Sequence, residues 1–323
     1  MIRTMENKKQ GFISKYINIF KSTVSGFMNE DCLKYSASLS YYTIFSIGPI
    51  LVLMISLAGI FFGEDAIQGK VFSEMRGLVG PSAARQIQEV INNLKLSGKS
   101  NFALIASIIT LVIGATTVFG DIQNSINRIW HVRAKPKRGW LKLITDRLLS
   151  SSLVVGLGFL LMVTLVVNGI ILAFTDRLQV YFPDITVFFM NAVNFALSFG
   201  IIFILFGIIF RTLPDVKIEW KTVRTGALFT ALLFVIGRYA IGLYLESSGT
   251  ESTYGAAGAL VLILLWVYYT AAILYFGAVY TRENAIANGI PIKPADYAVY
   301  VEEKERERVV EEIPAKPADQ GLS

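Results

Sequence analysis

Residues 254–280 read YGAAGALVLILLWVYYTAAILYFGAVY, without one charged side chain. A bilayer's hydrocarbon core is about 30 Å thick, and a helix needs about 20 mostly apolar residues to cross it. Reading outward from this run, which supplies a span at 255–280, five further segments meet the requirement: 42–62, 102–120, 148–174, 187–210 and 223–245. The chain of 323 residues is 54% hydrophobic and 17% charged, against about 25% charged in an ordinary soluble domain. Disorder and a soluble fold are both excluded. The sequence predicts an all-α integral membrane protein: a cytoplasmic amphipathic helix within 1–31, a membrane domain of six transmembrane helices over 32–285, and a charged, disordered tail over 286–323. Residues 1–31 hold no apolar run, so the first span is expected to stay as an anchor.

Lysine and arginine set the expected orientation. Residues 1–34 carry six, 128–147 seven, 211–224 four and the tail from Arg282 six. The other connections carry five in 63–101, one (Arg177) in 175–186 and none in 246–254. Both termini are therefore expected in the cytoplasm. The net charge of +6 then reports topology, and no nucleic-acid partner is expected. Membrane lipids are the expected partners, and the basic stripe at 133–142 suits anionic headgroups.

The connections add detail. Ile13, Tyr16, Ile17, Phe20, Val24 and Phe27 share one face of a helix over 12–28. That face either lies on the membrane surface or packs on the ends of the bundle. The long connection 63–101 reads as an outer helical hairpin, broken at Gly80-Pro81, with Ser82 as a cap and Ile87, Val90, Ile91 and Leu94 as its second stripe. The second span is expected to continue past the membrane. Phe119, Ile122, Ile126, Ile129 and Trp130 would form its apolar face, and Asp121, Asn124, Asn127, Arg128 and His131 its polar face.

Catalytic signatures are missing. One cysteine, Cys32, and one histidine, His131, cannot supply a zinc ligand set. Nothing matches GxxxxGK(S/T), GxGxxG or GxSxG. No enzyme activity, metal or cofactor is expected. The polar groups within the spans carry more information, because such groups face a protein interior or a wet path. Ser36, Ser40, Tyr41, Tyr42 and Ser46 precede Pro49 in the first span. A proline there suits a broken helix lining a cavity, while small serines equally suit close helix packing. Arg238, within the fifth span, is either a snorkelling side chain or a fixed charge that binds an anion. Asp121, Gln123, Asn124 and Asn127 form a candidate inner counterpart, or simply an interfacial polar face. Tyr254 and Gly255 open the last span, as a close-packing motif or as an anion-attracting helix start.

Four patches in order resemble one family: Leu39-Ser40-Tyr41-Tyr42-Thr43-Ile44-Phe45-Ser46-Ile47-Gly48-Pro49; Ile122-Gln123-Asn124-Ser125-Ile126-Asn127-Arg128-Ile129-Trp130; Leu213-Pro214, Trp220 and Gly226-Ala227; and Tyr254-Gly255-Ala256-Ala257-Gly258, Trp266-Val267-Tyr268 and Gly277-Ala278. Their order and spacing are similar to the YihY/BrkB family, over roughly residues 20–285. The resemblance implies a six-helix protein of the bacterial cytoplasmic membrane concerned with lipid handling in the envelope. The family's older ribonuclease BN label is regarded as an error. Members often carry an acidic residue just after the last Gly-Ala. Here that place is Val279, and Glu283, one turn on, is its possible substitute. The expected function is translocation of an anionic amphiphile such as a lipid. The alternative is an envelope scaffold acting through the outer hairpin and the tail; a membrane-bound hydrolase ranks last.

Overall fold

The structure is a computed structural model that describes residues 12–79, 81–96, 117–135, 183–247 and 250–302. It is mostly helical: α1 (Phe12–Asn29), α2 (Cys32–Phe62), α3 (Glu64–Val79), α4 (Pro81–Leu96), α5 (117–129), α6 (Pro183–Thr212), α7 (Trp220–Ser247) and α8 (Thr250–Ala287). Four two- or three-residue strands gather at one end: β1 (Val132–Ala134), β2 (Val216–Lys217), β3 (Lys293–Pro294) and β4 (Ala298–Tyr300). The predicted spans 102–120, apart from its last four residues, and 148–174 lie outside the described residues.

Among the described residues, three helices are long and apolar enough to cross a membrane, over Phe195–Thr212, Trp220–Ile241 and Leu260–Ala287. Over residues 254–280 helix α8 carries no charge on any side, and a helix of that kind belongs at the centre. It packs against α1, α2, α4 and α7. Its 38 residues rise roughly 57 Å at 1.5 Å each, well beyond the hydrocarbon thickness. Helix α2 starts at Cys32, ten residues before the predicted span, and remains one helix through Pro49. Of the two readings of this span, the broken helix is absent from its backbone. Helices α3 and α4 pack against each other and against α2 and α8. Pro81 opens α4, where its missing N–H is no loss.

Two apolar cores result. One joins Cys32, Leu39, Ile122, Ile126, Ile129, Phe206, Phe210, Val223, Tyr275 and Val279. The other joins Ile55, Ile67, Val71, Ile87, Ile91, Ile241, Ile263 and Trp266, and Phe234 borders both. Between α7 and α8 the backbones meet at two reciprocal points. Gly226 faces Thr281, and Gly277 faces Thr230. Each threonine hydroxyl donates to its own helix, Thr230 Oγ1 to Gly226 O and Thr281 Oγ1 to Gly277 O, both at 2.7 Å. Neither needs a partner across the interface, so the two helices can close to backbone distance.

One expectation needs correction. Of the tail predicted to be disordered, residues 286–302 are ordered, and 303–323 lie outside the described residues. Helix α8 ends at Ala287, and Gly289 takes φ +66 to turn the chain back. Then β3 pairs with β2 and β4 with β1, both antiparallel. Each of these strands is only two or three residues long, too short for a period-2 pattern to show in sequence. Helix α1 seats on α8 through Ile19, Thr23 and Phe27, while Ile13, Tyr16, Ile17, Phe20 and Val24 of the predicted face stay exposed.

Candidate functional site

The strand-bearing end of the bundle holds the polar machinery. Helix α6 stops at Leu213-Pro214, since proline cannot continue it, and the chain delivers Asp215 to the interior, 2% exposed. Its carboxylate accepts from Gln123 Nε2 at 3.2 Å, Asn127 Nδ2 at 2.8 Å and Tyr297 OH at 3.0 Å. The Asp215 N–H donates to Asn127 Oδ1 at 2.8 Å. The Asp215 carbonyl accepts from the Ala295 N–H at 2.9 Å. One carboxylate thus ties α5, the α6–α7 loop and the C-terminal segment together. Buried polar groups of this kind are costly to leave unsatisfied, and each named donor is used.

A second network lies between α1, α5 and α8. Arg282, 7% exposed, donates from Nη1 to Glu30 Oε1 at 2.9 Å and to the Ile129 carbonyl. Its Nη2 and Nε donate to Glu283 Oε1 at 3.0 and 3.1 Å. His131 Nε2 lies 2.9 Å from both Glu30 Oε1 and Arg282 Nη1. A protonated Nε2 donates to Glu30, whereas a bare one accepts from Arg282. Asp31, in the turn between α1 and α2, and His131, just past α5, both adopt the left-handed conformation, with φ of 53° and 52°. These two turns bring Glu30 and His131 to the guanidinium.

Two further groups lie between α2 and α5. Asp121 accepts from Ser38 Oγ at 3.3 Å, while its Oδ2 is buried without a partner. Burial pushes its carboxyl upward, and the Ser38 bond opposes that. Cys32 is fully buried. Burial first, then the Glu30 carboxylate, push its thiol from 9.0 up to about 12. The thiol is therefore expected to resist maleimide at pH 8 in the folded protein and to react once the protein is denatured, as mass spectrometry would read. Its contribution to stability is complete below pH 9, the unfolded value, and is lost as pH rises toward about 12.

Among the described residues, the predicted site residues are distributed over several places. Gln123 and Asn127 are buried on Asp215, so the α5 face read as an interfacial polar surface is partly interior; Asn124 is exposed. Ser40 is buried and donates to the Ala37 carbonyl at 2.9 Å; Ser46 is buried too. Tyr41 and Tyr42 are exposed, and Tyr41 also lies edge-on to Phe45. Helix α8 begins at Thr250, so Tyr254 and Gly255 stand inside it and not at its start. Pro49, Tyr254 and Gly255 are described by their backbone alone. Arg238 is exposed on α7, roughly 27 Å along the axis from Trp220 at 1.5 Å per residue. It is remote from the Asn127 cluster at the other end. Val279 is fully buried in the core, and Glu283 is committed to Arg282. Sequence reading passed over Asp215, Arg282 and Glu30. The signal for the first was a carboxylate directly after Leu213-Pro214.

Long apolar helices closed at one end by a plug of buried polar bonds define a polytopic helical membrane protein. The family model for virulence factor BrkB matches residues 23–296, and the chain belongs to that family. It is 25% identical over 270 residues to a UPF0761 membrane protein of Psychrobacter sp. (strain PRwf-1), covering 81% of this chain and 47% of that protein. With a UPF0761 membrane protein of Verminephrobacter eiseniae it shares 27% over 253 residues, 76% of this chain and 57% of the other. With one of Pseudoalteromonas atlantica it shares 23% over 268 residues, 82% and 85%. The chain spans about half the length of the first two relatives. No solved structure matches it.

Proposed function

We propose that this protein facilitates transbilayer movement of an anionic amphiphile, a lipid with a phosphate or carboxylate headgroup. In this reading it sits in the bacterial cytoplasmic membrane with six spans and both termini cytoplasmic, and it performs no catalytic step. The observation that carries the reading is Arg238. It is exposed on α7, about 120° around the helix from the exposed apolar stripe of Leu228, Leu232, Ile236, Tyr239 and Leu243, and it has no ion-pair partner among the described residues. A guanidinium at the bilayer midplane costs about 2.5–3.5 kcal/mol. Arg238 lies in the far third of its span, where the cost is smaller. A headgroup anion drawn beside it would offset what remains.

The test is reconstitution into liposomes with fluorescent lipids of matched chains. Arg238→Leu is expected to slow translocation of an anionic lipid by at least about 10-fold, with Arg238→Lys intermediate and zwitterionic lipid little affected. Anionic lipid moving at the wild-type rate in the leucine variant would overturn the reading.

A further inference from the structure

At the strand-bearing end, a groove of about 450 Å³ opens between the end of α6, β2 and residues 290–293. Its walls are aliphatic (Val216, Ile218, Ile290 and Pro291) and its charged groups are Arg211, Lys217, Lys293 and Glu219. The β2–β3 ladder places Lys217 and Lys293 directly opposite each other. Residues so paired project to the same side, and like charges in that position destabilise a ladder. Lys217 is offset by the exposed Asp296 carboxylate at 2.5 Å, and such surface pairs contribute little. Lys293 has no ion-pair partner among the described residues. The third cation, Arg211, is oriented from two directions. Its guanidinium carbon sits 4.9 Å from the Trp220 ring centroid, and Nη1 donates to the Ile218 carbonyl at 3.0 Å. That leaves its other N–H groups for a ligand.

Depth in the membrane narrows the ligand. Arg211 lies at the end of one candidate span and the half-exposed Trp220 begins the next. Tryptophan at that position marks the headgroup level. We infer that this groove is a docking site for the phosphate of an anionic phospholipid, with the oxyanion between Lys217, Lys293 and Arg211 and the aliphatic wall against the glycerol. The ladder accepts its opposed lysines because a bound anion compensates them. Binding as such does not depend on the function proposed above. Only the added step, that the groove and Arg238 are successive stations at opposite ends of α7, rests on that reading.

The experiment measures lipid retention by the detergent-purified protein using native mass spectrometry, with phosphatidylglycerol and phosphatidylcholine of identical chains. Wild type is expected to prefer phosphatidylglycerol. Lys217→Gln with Lys293→Gln is expected to cut that retention by roughly 25-fold, about 5-fold per charge. Its melting point should be equal or higher, since the opposed charges are gone. Lys217→Arg with Lys293→Arg should keep retention, which separates charge from folding. Equal retention of the two lipids by wild type, or undiminished retention by the glutamine pair, would overturn the proposal. Lipid-free protein titrated with glycerol 1-phosphate tests the source. Weak binding supports a membrane-borne phosphate, and binding as tight as that of phosphatidylglycerol would overturn the lipid assignment.

Discussion

Gly277→Leu is expected to prevent the bundle from assembling. A Cβ at residue 277 would stand 1.9 Å from Thr230 Oγ1 and 2.9 Å from Thr230 Cβ, and one at residue 226 would stand 1.8 Å from Thr281 Oγ1. Real atoms do not approach so closely, so α7 and α8 would have to separate. Ordinary overpacking costs about 1–3 kcal/mol. Here the intruding side chain meets a β-branched residue held by its own helix, and α8 also supports α1, α2 and α4. The cost should therefore exceed that range and appear as loss of the monodisperse peak in fluorescence-detected size-exclusion chromatography. The swap Thr230→Gly with Gly277→Thr restores the volumes across the contact and should recover the peak. Recovery failing while Gly277→Leu alone remained folded would refute this account of the helix pair.

Arg282→Ala carries the second large effect. The guanidinium supplies five contacts to Glu30, Glu283, the Ile129 carbonyl and His131. Its removal leaves two largely buried carboxylates and an unsatisfied carbonyl. Breaking one side of such a buried pair costs about 3–5 kcal/mol, and that loss should show as a lowered unfolding midpoint in detergent. Arg282→Lys should recover only part of it, because one ammonium cannot reach acceptors in the α1–α2 turn, on α5 and on α8 together. Arg282→Leu combined with Glu30→Gln and Glu283→Gln removes the stranded charges and should be more stable than Arg282→Ala. A midpoint unchanged by Arg282→Ala would show the network to be ornamental.

Much of the membrane domain was legible because hydropathy acts locally. The runs at 187–210, 223–245 and 255–280 lie inside α6, α7 and α8, whose ends extend beyond them by a few residues. Polar ends of a helix carry no hydropathy signal, which is why α2 reaches back to Cys32. The resemblance to the BrkB family was legible from four patches for a different reason. The patches mark places where backbones approach or turn, such as Gly226, Gly277 and Leu213-Pro214, and those needs restrict residue type. Asn127 was singled out as polar on α5, but its partner Asp215 is 88 residues away, and no periodicity connects them.

By itself, the sequence determined that this chain lives in a membrane, which family it belongs to, and where the long apolar helices α6, α7 and α8 run. These are properties of local composition and spacing. Only the tertiary structure decided that Asp215 and Arg282 anchor the strand-bearing end, that residues 290–302 fold back onto it, and that Lys217 faces Lys293. Those facts depend on which groups meet across long separations in the chain. In a low-dielectric interior a polar group is stable only where its particular partner arrives.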